Sequence, residues 1–367
     1  MSFESGSISC RAFFVPRDLP DNAVELFAAH AAPPLDNLKD DPIQGWVGGR
    51  HLLDRRITDE NAYYAGHLRL TLMQAERKIP PALLKAEQTM EELAQLQATG
   101  KQYLNRKEKS EIRQAVVERL LPQMPPQLKG ITFVHSPAER MIYASCVSEK
   151  QLDAFQIHFA RTVGYALIPA MPADTALRRK SLDVEELAPS SFSPDLDDRE
   201  VSCVIGEDFL TWLWYMSEME KGAIALEDLG EVAVLIEGPL TFHMEGDGAH
   251  LTVLRKGSPL ISAEAKTALL VGKKLRAAKL NMVFGEEAWS CTLDAEQFVF
   301  RGLKLPETEE KLDPISRFQE RLTKLDRFTD LFFRLYDEFL SRRSRAEEWR
   351  DEVQRIRKWV SDRQAAH

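Results

Sequence analysis

Hydrophobic positions along the 367 residues switch repeatedly between a two-residue and a three-to-four-residue rhythm. Ser9–Val15 alternates weakly, and Tyr63–Met73 places Leu68, Leu70 and Leu72 on one side, as strands do. Asn22–Ala31 has helical spacing through Val24, Leu26, Phe27 and Ala31, and Pro33-Pro34 ends it. Gly45-Trp46-Val47-Gly48-Gly49 reads as a turn carrying a buried aromatic. A helix opens near Pro80-Pro81 with a stripe of Leu83, Leu84, Met90, Leu93, Ala94 and Leu96. Gly100 breaks it, and a second helix carries Ile112, Ala115, Val116, Leu120 and Leu121 until Pro122 and Pro125-Pro126. Together, Lys78–Leu121 predicts a helical hairpin projecting from the body.

Ile131–His135 and Met141–Val147 predict a β-hairpin, Gln151–Val163 a helix and Tyr165–Pro169 a further strand. Phe209–Met216 is apolar nearly all round, so it is either buried or docks onto something. Val232–Ile236, Leu240–Met244 and His250–Leu254 read as strands, the last two joined at Gly246-Asp247-Gly248. Ser262 is an N-cap for a helix running to about Ala278. A meander of Leu280–Phe284, Trp289–Leu293 and Phe298–Leu305 follows. Asp313-Pro314 starts a tail helix through Phe318, Leu322, Leu325, Phe332, Tyr336 and Phe339, and Trp349, Val353, Ile356 and Val360 mark a last, highly charged one. The pattern predicts an α/β (α+β) fold of antiparallel sheets with a projecting helical hairpin. Its regions are 1–76 (N-terminal α/β), 77–127 (helical finger), 128–176 (β-hairpin and helix), 177–230 (acidic insertion), 231–305 (basic α/β) and 306–367 (helical tail).

Charge changes this picture more than composition does. The apolar fraction of 44 % fits a globular chain, and no apolar run approaches the roughly 18 residues that span a bilayer. MSFESGSISC has no basic segment followed by an apolar one, so no secretory signal is expected. Cys10, Cys146, Cys203 and Cys291 are scattered without a CxxC pair, which fits a reducing cytoplasm and argues against a zinc ribbon. The net charge is −9, yet Arg255–Lys279 holds Arg255, Lys256, Lys266, Lys273, Lys274, Arg276 and Lys279 against the single acid Glu264. Ser181–Leu240 carries fifteen acids and two bases, and Lys101–Arg119 six bases and three acids. Segregation of this kind suits a polyanionic partner, most often nucleic acid. In a helix from Ser262, Lys266, Lys273 and Lys274 fall on adjoining faces, Arg276 extends the patch and Lys279 follows in the next strand. The plainer reading is an ordinary solvated face. The acidic block is either a solubilising surface or a means of keeping phosphate off the wrong face.

Catalytic signatures are missing: there is no Walker A loop, GxSxG, HExxH or GxGxxG. His243 and His250 flank Glu245 and Asp247 across a turn, but neither spacing nor ligand number matches a standard metal site. Asp195, Asp197 and Asp198 read as a solvated acidic loop. No enzyme, metal or cofactor is expected.

Gly45-Trp46-Val47, Ala75–Gln95, Arg106–Gln123, Ile131–Phe155, Leu260–Met282 and the RGLKL segment Arg301–Leu305 form a collinear set. Together these pieces resemble RdgC, the recombination-associated DNA-binding family of bacteria. The resemblance implies a horseshoe-shaped subunit forming a ring-shaped homodimer around a positively lined hole. It also implies binding of double- and single-stranded DNA with little sequence preference, antagonism of RecA, no catalysis, no membrane, and a cytoplasmic, nucleoid-associated location. On that reading Lys266, Lys273, Lys274, Arg276 and Lys279 line the hole, with Arg255 and Lys256 beside them. Lys101, Arg106, Lys107 and Lys109 serve at the finger, for DNA or for the subunit contact. The chain departs from the family pattern at Pro125, where an aromatic is expected, and near Gly257-Ser258, where a Lys-Gln pair is expected. The rival reading is a protein-interaction scaffold that uses the aromatic helix 209–216 and the C-terminal helices without touching DNA.

Overall fold

The computed structural model describes residues 3–38, 41–219, 222–227, 229–244, 251–307 and 312–362. Within them the strands are β1 (Ile8–Phe14), β2 (Ile43–Gly48), β3 (Tyr63–Tyr64), β4 (His67–Arg77), β5 (Pro126–Ser136), β6 (Met141–Ala144), β7 (Ile168–Pro169), β8 (Ala223–Leu226), β9 (Gly230–His243), β10 (Thr252–Leu254), β11 (Lys274–Phe284), β12 (Glu287–Asp294) and β13 (Val299–Lys304). The helices are α1 (Ala23–Ala29), α2 (Asp59–Ala62), α3 (Pro81–Thr99), α4 (Arg106–Leu120), α5 (Glu149–Val163), α6 (Pro172–Lys180), α7 (Ile205–Met219), α8 (Ala263–Leu270), α9 (Pro314–Arg343) and α10 (Ala346–Asp362). The fold is α+β, as the alternating periods predict.

One antiparallel sheet runs through the molecule in the order β10-β9-β11-β12-β13-β1-β6-β5-β4-β2, with β3, β7 and β8 added at its margins. Its two halves are dressed differently. Along β1, β6, β5 and β4 both faces are covered. On one, Phe13, Trp46, Leu70, Leu72, Ile131 and Phe133 pack under α1 and α5 with Phe27, Phe155 and Phe159. Cys10, Ala12, Phe14 and Tyr143 point to the other face and join the large core. That core continues beneath β9, β11, β12 and β13, where Val232, Val234, Ile236, Leu280, Met282 and Leu293 face α7, α9 and α10. The alternation in β9 and β12 is what makes this half one-sided: every second residue is buried and its neighbours are exposed or half-exposed.

The aromatic helix α7 is the centre of the core. Phe209, Trp212 and Trp214 are fully buried, and Phe209 meets Tyr336 edge-on at 5.0 Å and Phe339 at 5.5 Å. A surface of that kind is unavailable to a partner, so the scaffold reading loses its aromatic helix. The tail is equally committed: α9 buries Phe318, Leu322, Leu325, Phe332 and Phe339, and Trp349, Val353, Ile356 and Val360 of α10 close the same core. Asp313 caps α9 by accepting from the amides of Ile315 and Ser316. Residues 177–230, the acidic insertion of the sequence reading, thus contain the helix on which the core is built.

The finger interrupts the β4–β5 hairpin. Gly100 ends α3 in the left-handed region at φ 66°, and Asn105 with Glu108 forms a capping box at the start of α4. Arg77 donates to the carbonyls of Pro122 and Met124, tying the finger's base. Two expectations are corrected here. Gly45–Gly48 belongs to strand β2 rather than a turn, because a Cβ at Gly45 would sit 2.4 Å from the Ala32 backbone, and only glycine lets the strand approach that closely. The helix from Ser262 stops at Leu270 instead of about Ala278, since Gly272 takes a φ of 85° and the chain re-enters the sheet at Lys274.

Candidate nucleic-acid interface

The face of β11–β13 opposite the core carries polar and cationic side chains. Residues paired across antiparallel strands share a face, so the register locates them. Lys279 pairs with Thr292, Thr292 with Arg301, and Ser290 with Lys304. Ser290 and Thr292 lie two apart and therefore on one side, yet their partners lie three apart. The extra residue is Gly302, at φ 62°, whose amide donates to Ser9 Oγ at 2.8 Å. This bulge turns both Arg301 and Lys304 outward, where a regular strand would have buried one of them. The result is a strip of Lys279, Arg301 and Lys304 interleaved with Asn281, Ser290 and Thr292, all exposed or half-exposed.

The register extends the same face across the sheet. Val299 shares it with Arg301 and pairs with Arg11, Arg11 with Ala144, Ala144 with Phe133, and Phe133 with Leu70. Continuing two residues at a time from Leu70 gives Leu72, Gln74 and Glu76, with Lys129 opposite Gln74. The strip and the base of the finger thus occupy one side of one sheet, separated by α1 and α5. Arg301 bridges the gap by donating to the Val147 carbonyl, just before α5, at 3.0 Å.

The predicted site residues divide between this surface and the interior. Lys266, Lys273 and Lys274 do not share a helix. Lys266 is in α8 and donates to the Ser361 carbonyl at 3.1 Å, anchoring α10, and Lys273 donates to Thr252 Oγ1 at 2.8 Å. Lys274 is buried 2.5 Å from Asp208, which is itself completely buried. Among the described residues neither Asp208 oxygen finds an aligned hydrogen-bond donor, so Lys274 compensates it through charge. Next to it Glu207 meets His243 Nδ1 at 2.9 Å, and burial pushes the Glu207 carboxyl up to about 8. Lys274 therefore holds the core together and cannot reach a phosphate.

Arg276 pairs with Glu296 and Lys279 with Glu237. Both are surface pairs, worth at most about 1 kcal/mol, so an incoming phosphate can replace the carboxylate. Arg255 and Lys256 lie exposed in the loop after β10. In the finger, Lys101 pairs with Glu108, Lys107 lies 3.8 Å from Glu111 and Lys109 lies 4.0 Å from Glu92, while Arg106 is exposed. Lys109–Glu92 and the bonds from Arg119 to Glu87 and Glu91 join α4 to α3, so part of the finger's charge is internal stapling. His250, Glu245 and Asp247 lie outside the described residues. Among the described residues no group of three or more His, Cys, Asp or Glu side chains could hold a metal ion, and no helix is long and apolar enough to cross a membrane.

Arg301 and Lys304 were missed as site residues. Their signal was the glycine inside Arg301-Gly302-Leu303-Lys304, which marks a bulge in an otherwise regular strand.

Fold and surface together define an α+β protein with a cationic strip on an uncovered sheet face and a helical finger rising from the same sheet. Residues 27–181 match the family model described as "Putative exonuclease, RdgC". No curated protein sequence matches the chain.

Proposed function

We propose that the chain is a sequence-nonspecific DNA-binding protein that associates as a ring-shaped dimer around duplex DNA and modulates RecA-dependent recombination without cleaving its substrate. The family match over residues 27–181 supports the recombination context. The observation that carries DNA binding is the bulge at Gly302, which brings Arg301 and Lys304 onto the uncovered face beside Lys279. Side chains of this type, on a sheet too broad to enter a groove, contact phosphates rather than base edges. Binding is then driven by release of condensed counterions and falls steeply with salt. Arg276 and Lys279 exchange their carboxylate partners for phosphates. Single strands bind through the same phosphate contacts, and a nucleoid-associated location follows.

A dimer is supported by the finger. α3 has no buried residue in the single chain, and Met90 and Leu93 are each more than half exposed on it. A second copy covering that stripe closes the ring, with Arg106 and Lys107 at the contact or on DNA.

The test is a gel-shift titration of end-labelled duplex over a range of salt, in buffer containing magnesium. The wild type should bind with a steep log–log salt slope and leave the label intact. Arg301→Glu with Lys304→Glu should weaken binding to all sequences alike and flatten the slope by about 2. No binding at low salt, or loss of label that requires the protein, would overturn the proposal.

A further inference from the structure

A second feature lies on the same sheet face, at the base of the finger. There a cavity of about 360 Å³ opens between the β2–β4–β5 surface and the start of α5. This is within the ~300–1,000 Å³ range of small-ligand sites. Its apolar floor is formed by Leu72 and Ile131, which pair across β4 and β5. One step towards the finger is a polar row: Gln44 pairs with Gln74, and Gln74 with Lys129. Gln151 and Lys150 face this row from the first turn of α5.

The hydrogen bonds already made determine what is left to offer. Gln44 Oε1 accepts from His158 Nε2 at 2.6 Å, and burial holds that imidazole below its usual range, in the neutral form. Gln151 Oε1 accepts from the amides of Val147 and Ser148, as part of the capping box. Both carboxamides are thereby oriented with their NH₂ groups unspent. Gln74 makes no side-chain hydrogen bond among the described residues. The single acid, Glu76, is occupied by Lys129 at 2.7 Å and Lys78 at 2.9 Å. The cavity thus combines an apolar floor, several amide donors, one uncommitted carboxamide and an excess of ammonium groups at the rim. A planar ring with carbonyl edges, attached to a phosphate, satisfies all four features at once.

We infer that this cavity binds a nucleoside phosphate: an unpaired nucleotide of the bound DNA, its base on Leu72 and Ile131, its edge on Gln44 and Gln74, and its phosphate at Lys150. The inference rests on the DNA-binding reading above and extends it from phosphate contact to base contact. A paired base cannot present its pairing edge to such a cavity, whereas one that has left the stack can. The strip supplies the approach, because Arg301 at its end touches Val147, and Ser148 and Lys150 line the cavity a few residues on.

The experiment titrates the full chain against three probes: a fully paired duplex, the same duplex with one unpaired thymidine, and thymidine 5′-monophosphate. The wild type should prefer the duplex with the unpaired nucleotide by about tenfold, the discrimination of a good carboxamide–base pair. Gln74→Leu, at a half-exposed strand position, should erase the preference while leaving affinity for the paired duplex unchanged. Lys150→Glu places an acid at the start of a helix, where the fold tolerates it, and should weaken the same preference. Saturable monophosphate binding that is lost in Gln74→Leu, without preference between the duplexes, keeps the site and makes a free nucleotide its ligand. Equal affinity for both duplexes with no monophosphate binding overturns the inference and leaves the DNA-binding proposal intact. Failure of both duplexes to bind at low salt removes that proposal, and the monophosphate titration alone then decides the cavity. Variants that bind every probe as the wild type does also overturn the inference.

Discussion

The two halves of the sheet share register and chemistry but differ in what lies on one face. Across β1, β6 and the parts of β5 and β4 away from the finger, α1 and α5 cover it and the strands are mostly apolar on both sides. Across β9 and β11–β13 that face is uncovered, and the same alternation exposes Lys279, Asn281, Thr292 and Arg301. Identical side chains acquire opposite roles accordingly. Lys274 and Lys279 are five residues apart in one strand, yet the first is sealed against Asp208 and the second shares a solvent-facing pair with Glu237. Cation density in a sequence therefore says little until each cation has been placed on a face.

The largest expected effect breaks the comparison on the buried side. Lys274→Met leaves Asp208 charged and unpaired in the core and should cost about 3–5 kcal/mol, read as a lowered urea midpoint. The double substitution Arg301→Glu and Lys304→Glu should do the reverse, weakening DNA binding at an unchanged midpoint. A loss of stability there would mean that the strip is structural too.

Next in size is a pH effect. The Glu207 carboxyl titrates at about 8 when folded, above its ordinary 4.5, because burial disfavours its charged form. The folded state then binds more protons than the unfolded chain between those values, so this group's contribution to stability falls as pH rises through that window. Glu207→Gln stays neutral throughout. Relative to the variant, the wild type should lose stability progressively from pH 5 to pH 9 in urea melts, and a constant difference would contradict the assignment. The smallest effect belongs to the finger. Arg119→Ala removes exposed pairs with Glu87 and Glu91 and should cost no more than about 1 kcal/mol, with DNA affinity at moderate salt little changed.

Much of this was legible in the sequence. The finger with its Gly100 break, the meander of β11–β13 and the tail helices follow from periodicity and caps that tertiary contacts reinforce. The misreadings share a physical cause: glycine marks both turns and close packing. Around Trp46 it signalled a turn, although Gly45 is there to let Ala32 approach. At Gly272 the opposite error arose, because Lys266, Lys273 and Lys274 sustain a helical rhythm across a residue that ends it. Irregular pairing at Leu275–Lys279 then obscures the strand that follows. The strip was harder to see, since Arg301 and Lys304 sit three apart, a spacing that in a regular strand points them to opposite sides. The cavity beneath the finger was invisible, being assembled from three strands and a helix far apart in the chain.

The bulge at Gly302 has an evolutionary corollary. Excising that one codon would leave Arg301, Leu303 and Lys304 in regular alternation, with both cations still outward and Leu303 still inward, and would remove the amide that donates to Ser9 Oγ. What the glycine fixes is the side on which two cations spaced three apart can stand together, and a strand one residue shorter at that point would keep the same arrangement.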